Sequence, residues 1–316
     1  MQNNEHIFGP VPSRRLGYSL GVDIMPFKTC TYDCIYCQLG PTTIKTVERK
    51  EYIPIAGMVK ELERKLSSGL KPDFITITGS GEPTLNSGIG ELIKGTRKIT
   101  GIPVAVLTNG SLLFLKEVRK SLMAADYVLP SLDAGDEAAF IRVNRPHRGI
   151  EFSQMTEGLK DFCREFRGYT WLEVFLVNEF NSDDENIRKI ILQTEKIKPG
   201  RIQLNTCDRP SASMNIHPVC SRRLENILGM FGDNAEIISR SFLEPVKRRD
   251  NSLHFEAEIL NLIRRRPMRL ADLCLSTGLD PNEIVKITDA IIKEGLISTE
   301  ISGNGFFYKY AGVDRA

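Results

Sequence analysis

Three cysteines within eight residues, Cys30-Thr31-Tyr32-Asp33-Cys34-Ile35-Tyr36-Cys37, form the densest group of metal-binding side chains in the sequence. Their C-x3-C-x2-C spacing lets one short loop present three soft thiolates, the ligand type that a [4Fe–4S] cluster requires. Such a cluster would keep one iron without a local cysteine, and an open position on a metal is where another molecule coordinates. The competing reading is a structural zinc loop, which asks for a fourth ligand at paired spacing. His6 and the scattered Cys163, Cys207, Cys220 and Cys274 lack that spacing. Isolated cysteines ordinarily serve as small buried hydrophobes. Cys207, just past the sixth expected strand, is in addition a candidate catalytic hydrogen donor or second-cluster ligand.

A loop of this kind needs a platform, and the flanking pattern supplies one. The Pro- and Gly-rich residues 8–17 read as loop, within an N-terminal cap over 1–18. Residues 19–24 alternate as a first strand feeding the cysteines. Short β-branched or apolar runs at 74–78, 103–107, 127–129, 170–177 and 201–204 then predict five more strands. Helical periodicity lies between them at 56–70, 88–99, 113–123, 137–143, 152–166 and 183–197. Alternating strands and helices imply a parallel sheet with right-handed crossovers. The expected fold is therefore α/β, an incomplete parallel (β/α)6 TIM-like barrel over residues 1–245, with its chemistry at the C-terminal ends of the strands. Those ends carry the cysteine loop, Gly81-Glu82-Pro83, Asn109, Ser131 with Asp133, Asn178, and Asn205 with Cys207.

Composition narrows the class. Lys plus Arg number 42 and Asp plus Glu 40, a net charge of +2, so the overall field makes no case for nucleic acid or membrane. The polar start carries no signal region and no apolar run is long enough for a bilayer, which leads us to expect a soluble cytoplasmic protein with no membrane partner. Seven cysteines, three of them in one loop, make a poor disulfide framework and fit a reducing compartment.

Composition shifts at residues 246–253, which read as a linker. Beyond it, at 254–312, apolar periodicity predicts helices at 255–265 and 270–277, the second ended by Gly278. Asp280 with Pro281 predicts the start of a third. A hairpin is expected around Ser302-Gly303-Asn304-Gly305. This order resembles a winged helix–turn–helix domain. From Ser252 to the end, eight basic residues oppose nine acidic ones, so a protein- or substrate-docking role is favoured over operator reading. Arg264-Arg265-Arg266 with Arg269 form one basic edge suited to clamping a nucleic-acid backbone.

The cysteine spacing with Tyr36 before the last cysteine resembles the signature of radical S-adenosylmethionine (SAM) enzymes, and Ser80-Gly81-Glu82-Pro83 resembles their Gly-Gly-Glu-Pro motif, with Ser80 for the first glycine. The resemblance implies a [4Fe–4S] cluster on Cys30, Cys34 and Cys37 whose open iron takes the amino and carboxylate groups of SAM. It implies reductive cleavage of SAM to methionine and a 5′-deoxyadenosyl radical that abstracts hydrogen from a substrate. It further implies that Gly81, Glu82 and Pro83 face the SAM amino group, that Asn109, Ser131 and Asp133 bind its ribose and carboxylate, and that Tyr36 lies near the adenine. Helix capping is the alternative role for Asn109, Ser131 and Asp133. A flavodoxin- or ferredoxin-type electron donor is implied as partner.

Residues 9–17, Ser19-Leu20-Gly21, Cys34 to Gly40 and Asn144-Arg145-Pro146-His147 resemble, more closely, the radical SAM group that includes the wyosine-base tRNA-modifying enzymes. Those tRNA enzymes bind a second cluster through cysteines upstream of the first motif, whereas no cysteine precedes Cys30. A tRNA base is thus the second reading of the substrate, and an iron–sulfur-sensing winged-helix regulator is the alternative from another class. Arg14, Arg15, Arg145 and His147 are candidates to hold a substrate anion, since a guanidinium pairs with carboxylate or phosphate in a fixed fork.

Overall fold

The computed structural model describes residues 6–210, 216–238, 255–302 and 305–311; the expected linker at 246–253 lies outside the described residues. The chain opens with β1 (Ile7–Ser13) and β2 (Gly17–Asp23), then two short strands in the cysteine region, β3 (Thr29–Cys30) and β4 (Ile44–Lys45). There follow α1 (Met58–Ser67), β5 (Phe74–Thr78), α2 (Ile89–Ile99), β6 (Val104–Thr108), α3 (Lys116–Leu122) and β7 (Tyr127–Pro130). Next come α4 (Glu137–Asn144), α5 (Phe152–Glu165), β8 (Tyr169–Leu176), α6 (Asp184–Ile197) and β9 (Arg201–Thr206), then α7 (Ser221–Phe231) and β10 (Ala235–Ile237).

The main sheet runs β1-β2-β5-β6-β7-β8-β9-β10. All neighbours from β2 to β10 are parallel. Two points differ from expectation. The segment expected as loop forms β1, antiparallel to β2, with a register shift between Phe8 and Val11. Pro10 and Pro12 fit there because β1 is the sheet edge, where a missing N–H breaks no interior ladder. The expected six parallel strands become seven, since α7 and β10 add a further unit whose strand is only three residues long.

The sheet curls. Arg15, in the β1–β2 turn, pairs with Glu173 of β8 at 3.2 Å, although β2 and β8 stand four strand spacings apart in the sheet order. At ~4.8 Å per spacing a flat sheet would hold them roughly 19 Å apart. The concave face carries its own small cluster, in which Leu16, Ala105 and Leu129 meet Leu107, Tyr127 and Trp171. Outside, α1–α6 bury residues such as Leu62, Leu92, Phe162 and Ile190 against the convex face in the main core. The architecture is a mixed α/β incomplete barrel.

The C-terminal unit comprises α8 (Phe255–Arg265), α9 (Leu270–Thr277), α10 (Pro281–Lys293), β11 (Ile297–Ser302) and β12 (Gly305–Tyr310), the last two antiparallel. Local chemistry sets its boundaries as expected. Gly278 ends α9 in the left-handed region, and Asp280 caps α10 by accepting from the N–H groups of Asn282 and Glu283. Its core of Ile259, Leu262, Ile263, Leu273 and Ile284 takes in Val11 of β1. Arg209, past β9, pairs with Asp272 at 2.8 Å, and Arg269 with Asp208 at 3.1 Å. Arg265 pairs with Asp23 at the end of β2. The unit therefore bridges the β1 edge and the loop after β9. The basic edge expected for backbone clamping is turned inward by these pairs, which is a correction for Arg265 and Arg269.

Asp23 has 2% of its side chain exposed, and removing one partner of a buried pair costs about 3 kcal/mol. Asp23→Ala is expected to lose roughly that much in urea denaturation and to make the C-terminal unit the first site of limited proteolysis.

Candidate active site

The cysteine loop sits at the C-terminal end of β2, held from below by the end of α4. Asp33 N–H donates to the carbonyls of Asn144 and Arg145, Ile35 N–H to that of Val143, and His147 N–H to that of Thr31. The Asn144-Arg145-Pro146-His147 segment is thus a backbone cradle for the loop. Arg145 itself is exposed and left-handed at the α4 C-terminus, and His147 Nδ1 accepts from Gly149 N–H at 3.0 Å. The structure places these two beneath the loop, apart from Arg14 and Arg15.

Each of the three sulfurs receives one side-chain donor. Lys28 Nζ lies 3.1 Å from Cys37 Sγ, Asn144 Nδ2 3.5 Å from Cys34 Sγ, and Asn109 Nδ2 3.7 Å from Cys30 Sγ. Such donors stabilise charge on sulfur and tune iron–sulfur potentials. Burial works the other way on the metal-free thiols: it pushes Cys30 up to about 12, with Glu82 adding, and raises Cys34 well above the usual range, with Asp133 adding. Thiolates at this site therefore need a compensating cation. Among the described residues no three His, Cys, Asp or Glu side chains converge on a single ion. A cluster asks for less, since it spreads its cysteines over separate irons.

The rim residues assemble around the loop, though their polar groups are largely used within the chain. Glu82 is buried and its carboxyl is raised by that burial; Oε1 accepts from Thr84 N–H, Thr84 Oγ1 and Thr108 Oγ1, and Oε2 from Asn109 N–H at 2.7 Å. Gly81 faces the Thr29 carbonyl so closely that a Cβ there would lie 1.7 Å from the oxygen. Pro83 starts a buried 3-10 turn. Asn109 also donates to Thr31 Oγ1 at 2.7 Å.

Asp133 is 2% exposed; it accepts from Tyr36 Oη and Asn144 Nδ2 on one oxygen and from Phe175 N–H on the other, and burial pushes its carboxyl up to about 6. Tyr36 stacks on Phe175 with ring centroids 4.0 Å apart. Ser131 is half-buried beside Glu173 in a single bridge. Cys207 packs with Ile35, Phe175 and Val177, and burial pushes its thiol up to about 12. It is therefore a protonated thiol next to the loop.

Three participants escaped the sequence reading: Lys28, Thr108 and the side chain of Asn144. No local pattern gives them this role, because Lys28 reaches the site from a turn, Thr108 from the end of β6 and Asn144 from the end of α4. Asn144 Oδ1 is buried with no hydrogen-bond partner, an open acceptor beside the cysteines. Asn144→Ala removes the donors to Cys34 and Asp133. It is expected to cost about 1–3 kcal/mol in stability and to lower the reduction potential of the loaded site, read by a redox titration followed by electron paramagnetic resonance.

A family model described as the radical SAM superfamily matches residues 24–191, more than half of the chain. A UPF0026 protein of Methanocaldococcus jannaschii is 32% identical over 311 residues, covering 96% of this chain and 95% of its own. A Brachyspira hyodysenteriae protein named GTPase Obg is 37% identical over 299 residues; the match covers 94% of this chain and only 44% of that protein. A radical SAM methyltransferase from Sphaerobacter thermophilus shares the fold at a TM-score of 0.53 and 16% identity, over 69% of this chain and 66% of that one.

Proposed function

The chain belongs to the radical SAM superfamily, and we propose that it holds a [4Fe–4S] cluster on Cys30, Cys34 and Cys37 and uses SAM to abstract hydrogen from a substrate inside the incomplete barrel. The family implies both cofactors. The observation that carries the reading is the set of three cysteine sulfurs on one strand-end loop, each facing its own side-chain donor. When bound, the reduced cluster and SAM supply a 5′-deoxyadenosyl radical, leaving methionine.

The protein's share is positioning and exclusion of water. Lys28, Asn109 and Asn144 orient and polarise the sulfurs. Glu82 acts as a positioning residue: its carboxylate ties the segment after β5 to β6 by way of Thr84, Thr108 and the Asn109 N–H, and so sets a wall that would hold SAM. Gly81 and Pro83 shape that wall. Asp133 fixes the Tyr36 ring, Asn144 Oδ1 has capacity left for a ligand hydroxyl or ammonium, and Ser131 is proposed to serve the ribose beside it. We read the C-terminal unit as a winged helix–turn–helix. Among the described residues no helix is long and apolar enough to cross a membrane. A flavodoxin- or ferredoxin-type protein in the cytoplasm is the proposed source of the electron.

The test is anaerobic reconstitution with iron, sulfide, dithionite and SAM, with 5′-deoxyadenosine measured by chromatography. Cleavage above a protein-free control is expected. A loaded cluster that never cleaves SAM would overturn the reading in favour of a sensor.

A further inference from the structure

A cavity of about 190 Å³ lies between the concave face of the sheet and the C-terminal unit, lined among others by Arg15, Asp23, Ser80, Arg265 and Arg266. Leu39, two residues past the last cysteine of the loop, and Gly79, beside the Ser80-Gly81-Glu82 segment, also face it. The cavity thus adjoins the proposed SAM site without containing the cysteines.

The charges around it are unevenly matched. Glu173 is paired with Arg15, Asp272 with Arg209, Asp208 with Arg269, and Asp23 with Arg265, which also reaches Ser80 Oγ at 3.3 Å. Arg266 is left over. Among the described residues no carboxylate lies within ion-pair distance of it, and its Nη2 is sealed from solvent without a hydrogen-bond partner. Its neighbours relieve it only in part: burial, then the like charge of Arg209, pull its guanidinium down to about 9, Arg14 adds to that, and Asp272 and Asp208 oppose it without closing to an ion pair. A guanidinium nitrogen sealed from solvent without a partner is costly, and an anion entering the cavity would remove that cost. Asp23, the carboxylate on the wall, is already neutralised by Arg265.

We propose that this cavity binds the oxyanion of a small-molecule substrate, a phosphate or carboxylate group, with Arg266 as its principal cation, so that the C-terminal unit forms one wall of the substrate site. The proposal deepens the radical SAM reading and rests on it for the word substrate. It gives the C-terminal unit a role that its balanced charge does not suggest, and it moves the anion site away from Arg145 and His147. Ser80, standing for the first glycine of the motif, gains a reason as well. Its N–H and hydroxyl hold Asp23, which holds Arg265 beside Arg266.

The test uses the full reconstituted chain. Inorganic phosphate and succinate are titrated separately by calorimetry into wild type, Arg266→Gln, Arg266→Lys and the exposed-surface control Arg188→Gln. Saturable binding of one anion to wild type and Arg188→Gln, weakened at least tenfold by Arg266→Gln and less by Arg266→Lys, is the expected result; the anion that binds identifies the oxyanion. Protection of Arg266 from phenylglyoxal by the same anion, read by peptide mass, tests the wild type without any variant. No anion binding to wild type, equal binding to Arg266→Gln, or tight binding only of transfer RNA would overturn the proposal. So would a tenfold loss of SAM affinity in Arg266→Gln, which would assign the arginine to the cofactor's carboxylate. Measurement of 5′-deoxyadenosine in the same samples separates the two readings. Anion binding without cleavage keeps the site and removes the radical chemistry, and cleavage without anion binding does the reverse.

Discussion

Alanine at Cys30, Cys34 and Cys37 together is expected to abolish SAM cleavage and to remove all of the about four irons that a loaded cluster holds. The effect should be complete because all three thiols of the loop are gone and the side chains that hydrogen-bond the sulfurs are donors, Lys28, Asn109 and Asn144. The apoprotein should fold nearly as well as wild type. Burial pushes its Cys30 thiol up to about 12 and raises Cys34 well above the usual range, so loss of these two removes small apolar contacts rather than charge. The same burial makes loading release protons. Cluster assembly in wild type is therefore expected to be favoured as pH rises, since thiols must ionise to bind. Iron and sulfide analysis beside circular dichroism checks both parts. Retained iron, or zinc in its place, would sink the cluster assignment; Cys163→Ala and Cys274→Ala, far from the loop, should leave it intact.

Gly81→Ala is expected to lose about 3 kcal/mol of stability, at the upper end of overpacking costs, and to load little or no cluster. A Cβ at this position would lie 1.7 Å from the Thr29 carbonyl oxygen and 2.6 Å from its carbon, both backbone atoms. Either β3 or the loop after β5 must move. Since Thr29 precedes Cys30 and its carbonyl also accepts from Glu82 N–H at 3.1 Å, the movement falls on the first cysteine and on the Glu82 wall at once. Gly101→Ala, where a Cβ meets nothing within 4 Å, is the control and should be neutral within about 0.5 kcal/mol. Full iron content in Gly81→Ala would show that the close approach is relieved elsewhere.

The two variants mark different depths of sequence legibility. The cysteines announce themselves, because three soft ligands in eight residues have few other uses. Gly81 also stood out, yet what approaches its backbone is the chain's own Thr29. The β-branched run at 74–78 coincides with β5, and Asp280 with Pro281 starts α10 as expected, since these signals act over a few residues. Residues 8–13 misled because prolines that would break an interior strand are tolerated at an edge, and edge position is a property of the whole sheet. The rim residues were found as a set, but not as the mutually bonded network they form. Glu82 and Asp133 each accept from groups on other strands or helices, and a buried carboxylate takes whatever donors the fold brings.

The sequence by itself determined the alternation that builds a parallel sheet, the loop that can carry a metal cluster, and the helix boundaries of the C-terminal unit, because spacing, capping and ligand type are local. Tertiary structure alone decided which cations are paired. Arg264, Arg265, Arg266 and Arg269 read as one basic edge along the chain. In the folded protein Arg265 and Arg269 each meet a carboxylate from the barrel, and half-buried Arg266 meets none, its Nη2 sealed without a partner. Ion pairing and desolvation depend on distances between residues 61 to 242 positions apart, and those distances exist only once the sheet has curled and the C-terminal unit has closed against it.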